Sequence, residues 1–237
     1  MRSILFIKEV ELMDLSPLFI SLKVAVIATI ITVFTGICSA RYALKIKRFK
    51  GLIDGLFTLP MVLPPTVVGF FLLIIFGRHS FLGNIFRYFN ISVVFSWSGA
   101  VIASSVVSFP LMYRTARGAF EQFDSNLISA ARTLGISEPA IFGKIIIPNV
   151  FPGLLAGTVL TFARALGEFG ATIMLAGNIP GRTRTMAVAV YTAVQSGDRG
   201  MAYEWVLIIC SMSFVSMALM NFWNSCQSKK IPERREF

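Results

Sequence analysis

The sequence is poor in charge, histidine and cysteine, and each shortage removes a class of function. Of 237 residues only 14% are charged, whereas a soluble domain carries about a quarter. So few charges cannot cover a water-facing globule of this length, which places the chain among membrane proteins. One histidine, His79, and three scattered cysteines, Cys38, Cys210 and Cys226, offer no CxxC spacing and no His/Cys cluster. That argues against a metal site and against a disulfide framework. Acidic residues are scarce too, 12 Asp and Glu against 22 Lys and Arg, for a formal net charge of +10. A basic chain raises nucleic-acid binding. Here, however, the cations sit in short clusters between apolar runs, as in proteins that fix their orientation in a bilayer. No nucleophile–base set and no cofactor loop is visible, so the chain is not expected to be an enzyme by itself or to bind a cofactor.

Apolar sequence is abundant: 55% of residues are hydrophobic and 22 are Phe. A helix needs about 20 mostly apolar residues to cross the hydrocarbon core. Five stretches qualify, residues 17–44, 56–76, 93–113, 151–176 and 202–223. The expected fold is all-α: a polytopic membrane helical bundle of about five transmembrane helices, with residues 1–237 forming one transmembrane domain. Residues 2–15 mix apolar and charged side chains and read as a surface helix or a sixth, poor crossing. Lys8, Glu9, Glu11 and Asp14 deny them the apolar core of a signal peptide. Orientation follows from the loops. The segments after the first crossing, between the third and fourth, and after the last hold 13 cations, among them Lys45, Lys50, Arg114, Arg117 and Lys144; the opposite side holds seven, among them Arg182 and Arg184. The richer side is expected to be cytoplasmic, which puts the N-terminus outside and the C-terminus inside.

The second stretch contains LPMVLPP, residues 59–65, with Pro60, Pro64 and Pro65 interrupting the ladder of backbone hydrogen bonds. In lipid the freed groups must be satisfied by protein or by water in a cavity. The stretch therefore faces a translocation path, or it is a kink that shapes the bundle. The longest cytoplasmic loop, residues 114–150, reads EQFDSNLISAARTLGISEPAIFGKIIIPNV over residues 121–150. Ser125 or Asn126 is placed to cap a short helix that Gly135 ends. Ser137-Glu138-Pro139 reads as the start of a second short helix. Gly143-Lys144 is no phosphate loop, because Ile145 replaces the required Ser/Thr and Glu138 stands at the first glycine position. If ATP drives this protein, another chain binds it.

The segment Ala130-Ala131-Arg132-Thr133-Leu134-Gly135, followed by Phe142, Ile145 and Pro148, resembles the cytoplasmic "EAA" loop of ABC-importer membrane subunits. Two features depart from that pattern: Ser129 stands where it often has glutamate, and Ile147 where it has leucine. The resemblance implies that residues 124–149 form coupling helices seated on an ATPase subunit. Further, LPMVLPPTVVGF (59–70) and ARALGEFGATIMLAGNIPGRTRT (163–185) resemble the molybdate permease branch, while sulfate permeases resemble GEYGS where this chain has Gly167-Glu168-Phe169-Gly170-Ala171. The architecture implied is a type I ABC-importer permease in a prokaryotic plasma membrane. It would work as a homodimer with two ATP-binding cassette subunits inside, which carry ATP and magnesium, and an extracytoplasmic molybdate-binding protein outside.

Arg164 and Glu168 fall inside an otherwise apolar stretch, where an ionisable residue costs on the order of 3 kcal/mol. Their i,i+4 spacing lets them pair on one helix face, which Thr161 and Thr172 extend. Either the pair locks the helix to its neighbours, or the face lines the anion path. Gly153 and Gly157 form a small-xxx-small pair that suits close helix packing. Lys23 snorkels to the interface. The loop 177–185, with Asn178, Arg182 and Arg184, reads as a contact for the binding protein or for the released anion, or as a plain turn. The expected function is ATP-driven import of molybdate, with tungstate as a close relative. The rivals are a sulfate or other oxyanion importer, and an ATP-independent anion channel or secondary transporter.

Overall fold

The computed structural model describes residues 14–46, 48–77, 80–89 and 92–228, and the side chains of all of these except 87 and 219–228. The proposed surface helix over 2–15 lies almost wholly outside the described residues, as do His79 and the cationic tail after Ser228. Every regular element among the described residues is helical.

α1 (Ser16–Lys45) opens with Pro at its first turn and ends on Lys45, the polarity that the helix dipole favours. Its inner face is built of small residues, Ala25, Ala28, Gly36, Ala40 and Ala43, all packed on α5 (Trp97–Glu121) or beside it. A Cβ on Gly36 would come within 2.8 Å of Met112 Cγ. In a bilayer, small residues of this kind permit the close backbone approach on which helix association depends. α5 lies at the centre, touching α1, α2 (Lys50–Val62), α8 (Ile147–Leu166) and α9 (Gly170–Ala176). It is long enough to cross a bilayer yet less apolar than the others, because it turns Ser104, Ser105 and Ser108 inward. Thr32 of α1 meets two of these, donating to Ser105 O at 3.3 Å and lying 3.4 Å from Ser108 Oγ.

Three further helical units are long and apolar enough to span: Glu138–Leu166, Arg199–Ala218 within α11 (Arg199–Ser228), and the pair α2 (Lys50–Val62) and α3 (Pro65–Phe76) taken together. The second stretch is not one kinked helix, however. α2 and α3 meet at 109°. Leu63 and Pro64 are extended, and Pro65 begins the new helix, where its missing N–H costs nothing.

The fourth stretch also differs from its predicted bounds. It begins at Glu138 rather than 151, because α7 (Glu138–Ile141) passes through a π-helical turn (Phe142–Ile146) directly into α8 (Ile147–Leu166). It ends at Leu166 rather than 176. Gly167, Glu168 and Phe169 break the helix, and α9 (Gly170–Ala176) starts anew. α10 (Met186–Gln195), too short to be read as a crossing, packs on α1 and α11. α4 (Phe81–Tyr88) follows α3.

Two ends of the bundle are distinct. At one end Lys50 pairs with Glu121 at 3.3 Å, and Arg41 lies 3.6 Å over the Phe142 ring. At the other, Met186 N–H donates to Ser21 Oγ at 2.8 Å and Phe95 N–H to Leu175 O at 2.9 Å. The first is the cation-rich end. Gly153 and Gly157 do serve packing: a Cβ on either would lie within 3.0 Å of α5, at Ala119 and Thr115.

Close approach also fixes α3 to α9. A Cβ on Gly69 would fall 2.8 Å from Ala171 Cα, a backbone atom that cannot swing aside. Gly69→Val should therefore cost about 1–3 kcal/mol of stability, seen as a lower melting temperature of the detergent-solubilised chain. Gly55→Ala, with open space around it in the interior of α2, should not lower the melting temperature and should raise it slightly, since alanine favours the helix by about 0.5–1 kcal/mol.

Candidate translocation site and coupling surface

The two breaks face each other. A Cβ on Gly170, the first residue of α9, would lie 3.0 Å from Pro65 Cβ and 3.1 Å from Thr66 N. The N-terminus of α3 thus sits against the residue that restarts the fourth crossing. Pro64 and Thr66 are exposed, Pro60 and Pro65 partly so. The break at Leu63–Pro65 and the break at Gly167–Phe169 therefore adjoin in space as one patch within two apolar spans, while Pro60 stays inside α2. Irregular backbone at that depth is tolerated where protein or a water-filled cavity satisfies it.

Arg164 and Glu168 belong to this patch. Arg164 Nη1 lies 2.7 Å from Glu168 Oε2, with the arginine side chain 37% exposed and the glutamate 1%. The approach is off the hydrogen-bond axis, so charge rather than a directed bond holds it. Glu168 stands just past the end of α8 and not on it. Its other oxygen accepts the Ala171 amide at 2.9 Å, capping the first turn of α9, where a helix favours an anion. Glu168 thereby ties the two halves of the broken crossing together, while Arg164 extends its charge outward.

Thr161 and Thr172 do not share an open face with the pair. The break takes Thr172 out of the register of α8, and both threonines are fully buried, with hydroxyls that have no hydrogen-bond partner among the described residues.

At the cation-rich end, residues 121–150 form a projecting knob. α6 (Ser125–Thr133) is capped by Asp124, whose carboxylate accepts the Asn126 amide at 2.8 Å; neither Ser125 nor Asn126 is the cap. Asp124 is the better choice because a carboxylate also meets the positive end of the helix. Gly135 ends α6 with φ +73°, and the Gly135 and Ile136 amides donate to Arg132 O and Ala131 O at 3.0 and 3.1 Å. Such a left-handed C-terminal residue is the usual place for glycine.

The predicted second short helix is instead the start of the fourth crossing, so α7 continues into α8 without a loop, and the turn over residues 134–137 is the one connection between α6 and that crossing. Ala131 is the one buried residue of α6. Ser129, Ala130, Gly135 and Pro148 are exposed, Leu134 is 78% exposed, and Ile145 is half-buried. Phe142 is half-buried between Arg41 and Phe120. The exposed Ala130 and Leu134, with Leu127 and Ile136, leave an apolar surface on a cytoplasm-type, cation-rich end.

Sequence reasoning missed a polar network joining α2 to α5. Arg117 and Tyr113 both donate to Asp54, Arg117 donates to Glu121 at 3.0 Å, and Lys50 reaches the same Glu121 oxygen. The Arg117 hydrogen bond holds the Glu121 carboxyl below the usual range, with Lys50 adding to it. The signal that could have found it is the Arg117/Glu121 spacing of four; Asp54, 63 residues from Arg117, gave none. The loop 177–185 is a built structure rather than a loose turn. Thr183 accepts the Ile179 amide at 3.0 Å, and Arg184 donates to Asn178 at 2.7 Å.

A family model described as "Binding-protein-dependent transport system inner membrane component" matches residues 28–231. The chain belongs to this family. Among relatives of this inner membrane component, the Molybdenum transport system permease protein ModB of Escherichia coli (strain K12) is 44% identical over 207 residues, covering 86% of this chain and 90% of that one. The Sulfate transport system permease protein CysT of Salmonella typhimurium is 32% identical over 214 residues, covering 90% and 77%. A solved chain from inward-facing conformations of the MetNI methionine ABC transporter superposes with a TM-score of 0.69, covering 89% of this chain and 94% of that one, at 13% identity. At that identity the likeness concerns the fold alone, which is that of a type I ABC-importer permease.

Proposed function

We propose that this inner membrane component is the permease subunit of an ATP-driven molybdate importer. The observation that carries the substrate is the 44% identity to a molybdenum permease across nearly all of both chains, against 32% to a sulfate permease. Two copies would form the passage, two ATPase subunits carrying ATP and magnesium would sit under the knobs, and a molybdate-binding protein would dock at the end holding the loop 177–185. The N-terminus would be outside and the C-terminus inside.

The geometry supports this machine in two places. The exposed face of α6, joined through the Gly135 turn to the α7–α8 helix, suits a lever moved by an ATPase. The paired breaks with Arg164 at their edge suit a weak passage site: the arginine offers positive charge, and Glu168 offsets it enough to prevent tight capture of a dianion. High selectivity then rests with the binding protein.

The test is uptake of labelled molybdate by cells with and without the gene. Uptake that depends on the gene and is competed by tungstate but not by sulfate is expected. Competition by sulfate at equal concentration would move the substrate to the sulfate branch.

A further inference from the structure

Below the paired breaks, a groove follows α5 between α2 and α8 toward the cation-rich end. It holds two adjoining cavities, of about 370 and about 250 Å³, that share Arg114 and Gly118 as lining residues. Asp54 and Glu121 lie on this wall and would repel an anion, but Arg117 and Lys50 engage both. Arg114 is different. It is exposed, and among the described residues it has no recorded ion pair or hydrogen bond. It is thus the uncompensated charge of the groove. Beside it the Gln122 side chain also lines the wall. A polar face on a spanning helix lines protein or a water-filled cavity rather than lipid, and these helices are the same ones whose far ends carry the two breaks.

We propose that Arg114 is a transient binding group for the tetrahedral oxyanion where it leaves the passage toward the cytoplasm. The inference rests on the importer reading and adds a site to it. The neutralised Arg117 network keeps two carboxylates from cancelling Arg114, and the single free charge attracts a dianion without trapping it.

Gly118 supplies a probe, because a side chain there meets nothing within 4 Å and lies one turn from Arg114. The experiment uses the full chain with its ATPase partner in inside-out vesicles, carrying Gly118→Cys and serine at positions 38, 210 and 226. Labelling by anionic and cationic methanethiosulfonate reagents is compared. A unit charge at the roughly 6 Å of an i,i+4 pair shifts the local reagent population about threefold in water. Arg114→Gln should therefore lower the anionic-to-cationic rate ratio about tenfold, a factor of about three from each reagent, while Arg114→Lys should keep it. Added molybdate should slow anionic labelling in the Arg114 protein and not in the Gln variant. In the chain with native Gly118, Arg114→Gln should slow molybdate uptake and Arg114→Lys should restore it.

An unchanged ratio, or a ratio that molybdate does not affect, would overturn the proposal. So would protection that appears only when the vesicles contain anionic lipid, since the group would then serve headgroups. Absence of any molybdate uptake by the unmodified chain would instead sink the importer reading, and the labelling ratio distinguishes the two failures.

Discussion

Gly135→Val should sharply reduce productive transport while leaving membrane insertion intact. Gly135 holds φ +73°, a region that costs a residue with a side chain about 1–2 kcal/mol and a β-branched one more. That penalty falls on the turn between α6 and the fourth crossing, the connection through which movement of an ATPase would reach α8. The ratio of formed to misformed turn falls about tenfold, since 1.4 kcal/mol is a factor of ten. Uptake should fall by up to about tenfold while the complex still hydrolyses ATP. Space is not the cause, because nothing lies within 4 Å of a Cβ there. Gly135→Asn, which tolerates the left-handed region, should therefore retain most uptake. Equal loss in both variants would show that the exposed surface rather than the turn is what matters. Normal uptake in the valine variant would remove the knob from the coupling path.

The second large effect concerns Arg164. Removing it leaves the Glu168 carboxylate, 1% exposed, without its counter-ion. Breaking a buried pair from one side costs about 3–5 kcal/mol, so Arg164→Ala should sharply reduce the amount of folded chain in the membrane. Removing both charges relieves that cost. Arg164→Met combined with Glu168→Gln should recover assembly, with the glutamine oxygen still able to accept the Ala171 amide. If Arg164 serves only to lock the bundle, uptake returns with assembly. If it supplies charge to the passage, the assembled double variant stays inactive, and this is the outcome that the partly exposed guanidinium favours.

The apolar length of the crossings was legible because hydropathy counts residues; α1 ends within one residue of its predicted bounds at either end. What hydropathy cannot see is a change of direction. Pro64 and Pro65 announced an interruption, but a kink and a 109° bend have the same local sequence. The difference lies in Gly69 and Gly170, which let α9 lie against α3. The break at Gly167–Phe169 was hidden for a similar reason. Three residues of mixed polarity inside a long apolar run are compatible with a helix, and they leave it because Glu168 satisfies the Ala171 amide of the next one.

That break also explains the threonines. Helical spacing put Thr161, Arg164, Glu168 and Thr172 on one face, and spacing holds only while the helix continues. In the coupling segment the pattern of small residues and glycine was readable, including the turn at Gly135. Its cap was misassigned by one or two positions, because Asp124, Ser125 and Asn126 are all suitable types and tertiary context chose among them. Asp54 and Arg117 were beyond reach altogether, since nothing local links two residues so far apart in the chain.

The most direct measurement is import of labelled molybdate into liposomes containing this chain and its ATPase, supplied with the binding protein outside and ATP within, compared with the same complex carrying a hydrolysis-dead ATPase. The account predicts accumulation against the gradient with the active ATPase and none with the inactive one. Equal molybdate entry in both, running only down its gradient, would contradict it and make the chain an anion channel.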